Sequence, residues 1–288
     1  MRCSMARRVS KRLPGTILSL LMVLAVPPIW GQEDITPPDD EDLANHAYTN
    51  DLGFGGYSVG EEEVSTVRLP ISHNLRSIED NDLGARLKLP ISFGVYNFTF
   101  PDLIGDISSD RLKTLAVVPG VEFQVPVSQR WTLQPFQDLG VGKDFEGGDL
   151  FLLSTTGLKG IYARPWRALT FTFGSGVRYS LSRSSSGLNN DDFASVDVGL
   201  DTLFPLGFGT QNHRFDSSVY FIARHFFRTL VFQQPGGSIE IERQYEVGLT
   251  LGATPRPLVW MFRLPRIGVG YRFGESLRGI RINFGFPF

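Results

Sequence analysis

The chain ends Ile280-Arg281-Ile282-Asn283-Phe284-Gly285-Phe286-Pro287-Phe288. Every second residue from Ile280 onward is large and apolar, and the last residue is one of them. Period two is the repeat of a β-strand, whose successive side chains point to opposite faces. The run predicts a strand with one apolar face, made of Ile280, Ile282, Phe284, Phe286 and Phe288. At the edge of a soluble domain such a strand invites pairing with other chains. A closed barrel removes that hazard, because its last strand pairs with its first.

The same period recurs toward the N-terminus. Leu87, Leu89, Ile91, Phe93 and Val95 share a face, as do Leu115, Val117, Val121, Phe123 and Val125. Leu169, Phe171, Phe173, Val177, Tyr179 and Leu181 form a third face. Ala194, Val196, Val198, Leu200 and Phe204 form a fourth, and Tyr245, Val247, Leu249 and Leu251 a fifth. Trp260, Phe262 and Leu264 shift phase at Pro265 and continue as Ile267, Val269, Tyr271 and Phe273. That slip predicts a bulge or kink at the proline. The opposite faces carry charge, including Arg68, Arg86, Lys88, Glu122 and Asp138.

A soluble antiparallel sheet also alternates apolar and polar faces. Two further features favour a membrane barrel. Connections broadly alternate between short (Pro126–Arg130, Ala163–Trp166, Ala253–Leu258) and longer, polar ones (Pro101–Arg111, Ser182–Asp191, Arg228–Ser238). Outer-membrane barrels alternate turns and loops in this way, although Gly274–Ser276 is short where a loop is expected. Aromatics are abundant (23 Phe, 8 Tyr, 4 Trp), and Trp131, Tyr162, Trp166, Trp260 and Tyr271 fall near strand ends. Amphipathic rings suit the interfacial girdles of a barrel.

The N-terminus predicts export. Residues 1–12 hold five Lys/Arg and no acid, and an apolar stretch follows from Leu13 to Ile29, broken by Pro14, Pro27 and Pro28. These are the parts of a secretory signal peptide, ending near Gly31. A helical span needs about 20 apolar residues, so any membrane insertion of the mature chain is expected through strands. Residues 32–47 are acidic and contain proline, and they read as a flexible periplasmic extension. The barrel is then 48–288. At roughly 20 residues per strand and connection, it holds about twelve strands, with both termini in the periplasm. Eleven segments run from Val64 onward, and Tyr48 to Val59 supplies the twelfth.

Composition excludes several functions. The chain has 28 basic and 30 acidic residues, and loss of the five leader bases leaves 23 against 30. A net charge of about −7 disfavours a nucleic-acid partner, which needs a basic face. Cys3, the only cysteine, lies in the leader, so the mature chain has no disulfide and no Cys-ligated metal. The four histidines are His46, His73, His213 and His225. None stands in a pattern that assembles a nucleophile, base and orienting acid. Asp191-Asp192 reads as solvated loop charge. Gly140-Val141-Gly142-Lys143 lacks the remaining residues of a phosphate loop. No catalytic residue, cofactor site or metal site is expected.

The terminal run resembles the C-terminal assembly signal of outer-membrane proteins. The resemblance implies that Ile282, Phe284, Phe286 and Phe288 are read by the barrel-assembly machinery, and that the chain resides in outer-membrane lipid. The mature length, the acidic extension and the ending Gly-Phe-Pro-Phe are similar to solitary autotransporter-type barrels, which have the translocator barrel without a large passenger. The expected fold is an all-β, transmembrane, antiparallel up-and-down barrel.

Seven charges are expected in the lumen: Arg178, Asp197, Asp201, Glu242, Glu246, Arg272 and Arg281. Arg178 and Asp197 flank the Ser182–Asp191 loop at mirrored distances and are expected to face each other across one hairpin. Opposed charges either fill a narrow barrel or line a water-filled pore. The leading expectation is a pore or autotransporter-translocator barrel. The alternatives are a side-chain-filled barrel that binds through extracellular loops, and an outer-membrane hydrolase.

Overall fold

The computed structural model describes residues 48, 51–59, 62–78, 83–96, 114–145, 148–187, 190–210, 213–234, 237–259, 262–263 and 265–288. The leader, residues 32–47 with His46, the Pro101–Arg111 connection, Trp260 and Leu264 lie outside the described residues.

Fifteen ladder segments occur in chain order: β1 (Phe54–Val59), β2 (Glu62–Arg76), β3 (Gly84–Tyr96), β4 (Thr114–Val117), β5 (Gly120–Pro126), β6 (Trp131–Asp144), β7 (Leu150–Trp166), β8 (Leu169–Ser184), β9 (Asp191–Gly209), β10 (Arg214–Gln234), β11 (Gly237–Thr254), β12 (Leu258–Val259), β13 (Phe262–Arg263), β14 (Ile267–Gly274) and β15 (Leu277–Asn283). β4 and β5 are halves of one strand. Pro119, between them, has no N–H for the ladder, yet its carbonyl accepts from Leu139 N at 2.8 Å. β12 and β13 pair only with each other. Twelve strands remain in the main sheet. Each pairs antiparallel with its neighbours in sequence, and β15 pairs with β1, Ile282 opposite Phe54 and Leu277 opposite Val59. The sheet is a closed up-and-down barrel.

Closure satisfies every strand's backbone without an edge, which is what a bilayer demands. The side chains are arranged inside-out. Leu89, Val141, Leu152, Val177, Val198, Leu200, Phe221, Leu249, Val269 and Ile280 are exposed, while Ser195, Asp197, Gln244, Glu246, Thr250 and Arg272 are buried. In water, an apolar face of this size is untenable. Against hydrocarbon it is the expected surface.

Several expected boundaries shift. The first strand begins at Phe54, not Tyr48, because Tyr48, Asp51 and Leu52 are helical and Gly53 follows with φ +90°. The segment expected to run through Pro265 into Tyr271 is two pieces, and the long connection after Thr254 extends to Arg266. The loop expected over Arg228–Ser238 is mostly strand. β10 and β11 continue to a two-residue connection, with their register shifting between His225 and Leu230. Short and long connections therefore do not alternate strictly. The last strand ends at Asn283, five residues before the C-terminus.

Candidate functional site

The lumen receives the inward side chains of all twelve strands. One wall, formed by β3, β5, β6 and β7, carries alternating charge. The Glu122 carboxylate accepts from Lys159 Nζ at 2.9 Å and from Arg86 NH1 at 3.3 Å. Lys88 Nζ is 2.6 Å from Asp138 Oδ1. Both lysines lie over the Phe136 ring, at 4.5 and 5.2 Å from its centroid. Glu122 and Asp138 are buried and the cations reach toward water, as long basic stems allow.

A second cluster centres on Glu246 of β11. Tyr220 donates to Oε1 at 2.7 Å, and Arg272 donates twice to Oε2 at 3.2 Å. Arg281 NH1 lies 3.3 Å from the same oxygen. Asn283 donates to the Tyr220 hydroxyl.

The third cluster holds a piece of chain that belongs to no strand. Asp51, three residues before β1, accepts from Arg178 of β8 and Arg224 of β10. The same two guanidiniums hold Asp197 of β9, so two cations and two carboxylates balance. Burial by itself would raise the Asp51 carboxyl, but Arg178 and Arg224 hold it well below the usual aspartate range. Tyr48, one turn earlier, meets Phe193 and Phe226 edge-on, with centroids 6.2 and 5.9 Å away. Those two rings meet each other at 5.7 Å. Edge-to-face pairs add about 0.5–1.5 kcal/mol each beyond burial. The Tyr48 hydroxyl accepts from Gln244 Nε2, and the Leu52 carbonyl from the Tyr57 hydroxyl. Leu52, Tyr57, Leu230, Ile241 and Leu277 complete this apolar cluster inside the barrel.

The charges singled out in the sequence are thus distributed. Arg178 and Asp197 pair across the β8–β9 hairpin. Glu246, Arg272 and Arg281 share one cluster. Asp201 is buried, with Oδ1 unbonded among the described residues. Glu242 does not join them. It is half exposed near the β10–β11 connection, 3.7 Å from His225 and from Arg243. Lys159, Asp51 and Tyr220 were not singled out. The inward parity of Lys159 was legible in the sequence, but nothing local marks Asp51 as the partner of Arg224.

The expected assembly-signal residues divide. Ile282 pairs with Phe54 and Val269 within the sheet, and Phe284 is exposed. Beyond them Gly285 adopts φ +101°, a turn that favours glycine. Phe286 and Phe288 then lie over inward-facing residues. Phe286 is 6.0 Å from the Tyr220 ring, and the two terminal rings stack at 5.5 Å. The predicted single apolar face therefore ends at Phe284.

His73 shares the outward parity of Ile71 and Leu75, and no hydroxyl or thiol joins the His225–Glu242 pair in the described contacts. No group of three metal-ligating side chains occurs among the described residues.

The closed twelve-strand architecture has counterparts among solved structures. No protein-family model matches the chain, and no curated protein matches it in sequence. Among solved structures, the β domain of the Bordetella autotransporter BrkA is similar with a TM-score of 0.50 at 10% identity, covering 81% of this chain and 96% of that one. The chain folds like that β domain. The translocator domain of the autotransporter NalP from Neisseria meningitidis follows at TM-score 0.49 and 10% identity, with 78% and 82% covered. LpxR from Salmonella typhimurium has TM-score 0.39 and 13% identity, with 78% and 88% covered. At such identities the likeness concerns the fold of the barrel and not its chemistry.

Proposed function

We propose that this chain is an integral outer-membrane barrel of pore or translocator type, exported by its leader, with a lumen held shut by the segment that carries Tyr48, Asp51 and Leu52. The observation that carries the reading is the turn's seat. Asp51 is held by Arg178 and Arg224, and Tyr48 by an aromatic pair, on three strands remote from it in sequence. A segment that joins β1 through Gly53 and belongs to no strand is thus seated against the inner wall, which favours a closed lumen. Outer-membrane lipid is the partner of the apolar belt, and Ile282 and Phe284 are the outward residues available to barrel-assembly machinery.

Single-channel conductance in a planar bilayer tests this. Residues 32–288 are compared with residues 54–288, which lack the turn. Stepwise current only in the shorter chain supports a plugged pore. Silence in both, with insertion verified, removes the pore reading and leaves a filled barrel acting through its loops. The ion pairs around Glu122 and Glu246 favour that second reading, since satisfied charges also fill a narrow lumen.

A further inference from the structure

The C-terminal tail has a receptor of its own inside the barrel. Gly174 of β8 and Gly199 of β9 are register partners on the lumen side. A methyl group added at Gly174 would come within 2.6 Å of the Phe288 ring. One added at Gly199 would lie 3.0 Å from both Phe286 and Phe288 and 3.1 Å from Ile222. At Gly176 the added carbon would be 3.6 Å from Phe288. The ring of Phe288 therefore occupies the volume that side chains at Gly174 and Gly199 would fill, and the Tyr220 ring flanks Phe286. This wall belongs to β8, β9 and β10, the same strands that seat Tyr48 and Asp51 further along their length.

We infer that the Gly174–Gly176–Gly199 patch is a built docking site for the chain's own Phe286–Phe288 pair, and that this pair narrows the lumen at a second place. The inference rests on the pore reading only for its narrowing role; the seat itself does not. Two features make the geometry possible. Gly285 reverses the chain out of the lipid-facing register of Phe284. Pro287, between the rings, has no N–H that continued pairing would have to satisfy. Phe288 N donates instead to the Phe286 carbonyl at 2.8 Å, which holds the two rings on one side. An aromatic terminus that finished the strand would lie in lipid beside Ile282. Here it turns inward and covers a glycine-lined stretch of the inner wall.

The mature chain has no cysteine, so one cysteine appended after Phe288 is a unique probe. Its reaction with a water-soluble maleimide is timed in the inserted protein, alone and combined with Gly174→Leu or with Phe286→Ala and Phe288→Ala. Seated rings predict slow labelling that rises at least about tenfold when they are displaced, as protection limited by local opening requires. Equal rates in all three, or fast labelling by a lipid-partitioned maleimide, would overturn the docking site. The alanine pair keeps the test valid where the leucine variant fails to insert. The narrowing role is read separately, in residues 54–288: Phe286→Ala with Phe288→Ala raises the step conductance. An unchanged step in a conducting barrel refutes the second constriction alone. Total silence refutes the pore reading, while the labelling rates still decide the seat.

Discussion

Arg224 donates to Asp51 across 173 residues of chain, and in the same geometry to Asp197 on the neighbouring strand. A guanidinium presents donors in a fixed fork, so one side chain serves two carboxylates at once. The pairing ties a turn that has no strand hydrogen bonds to the wall of the barrel. Breaking one member of a buried ion cluster costs on the order of 3–5 kcal/mol, because the remaining charge is left uncompensated. Asp51→Ala is expected to release the turn without unfolding the barrel. Stepwise conductance should appear in the variant and be absent from Asp192→Ala, whose carboxylate accepts from Tyr179 in an exposed contact. Equal silence in both would show that Asp51 does not hold the turn.

The same pairing sets a pH window. The Asp51 carboxyl is held below its ordinary value of 3.8 by Arg178 and Arg224, against the opposing effect of burial. A depressed carboxylate contributes its full stability above the ordinary value and loses it as pH falls toward the folded one. The closed state should therefore be indifferent to pH between 7 and 5, in round numbers about neutral to mildly acidic, and should weaken only below 3.8. Conductance recorded across this range checks it. Opening at mildly acidic pH would assign the closure to another group.

Glu122 is buried and held by Lys159 and Arg86. Lys159→Met leaves its Oε2 with no cation in hydrogen-bond reach, at a cost of about 1–3 kcal/mol. Lys143→Ala, on the outward parity of Leu139 and Val141, should change stability by less than about 0.5 kcal/mol. Urea unfolding of the inserted protein, followed by tryptophan fluorescence, separates the two. A double change of Lys159 and Glu122 to Met should recover most of the loss.

The outward face makes the simplest prediction. Leu249 is exposed toward lipid and Thr250, the next residue, is fully buried toward the lumen. Leu249→Arg should cost about 2–4 kcal/mol when folding is measured in lipid vesicles, the range for a cation at mid-bilayer. If it costs nothing there, the apolar belt does not face hydrocarbon.

Legibility followed the range of the interaction. The alternation at Leu87–Val95 or Tyr245–Leu251 is written in neighbouring residues, so strand, face and approximate number could be read directly. The pairing of Arg178 with Asp197 was readable because a hairpin converts sequence symmetry into proximity. Glu242 is half exposed because it falls where the β10–β11 register shifts, between buried Ile241 and buried Gln244, and period-two parity does not carry across such a shift.

The sequence by itself determined the strands, the outward face of each and an approximate count of twelve, since period two is written in neighbouring residues and strands in lipid must find backbone partners; the closing pair of β1 with β15 came from the tertiary structure. Tertiary structure alone decided what stands inside. Tyr48 and Asp51 are distinguished by Phe193, Phe226, Arg178 and Arg224, which reach them only after the sheet has closed. Phe286 and Phe288 keep the parity of a lipid-facing strand in sequence, yet a glycine turn and two glycines from other strands bring them into the lumen. Local pattern fixes which way a strand residue points, whereas the space available to a terminal segment is created by residues far from it in the chain.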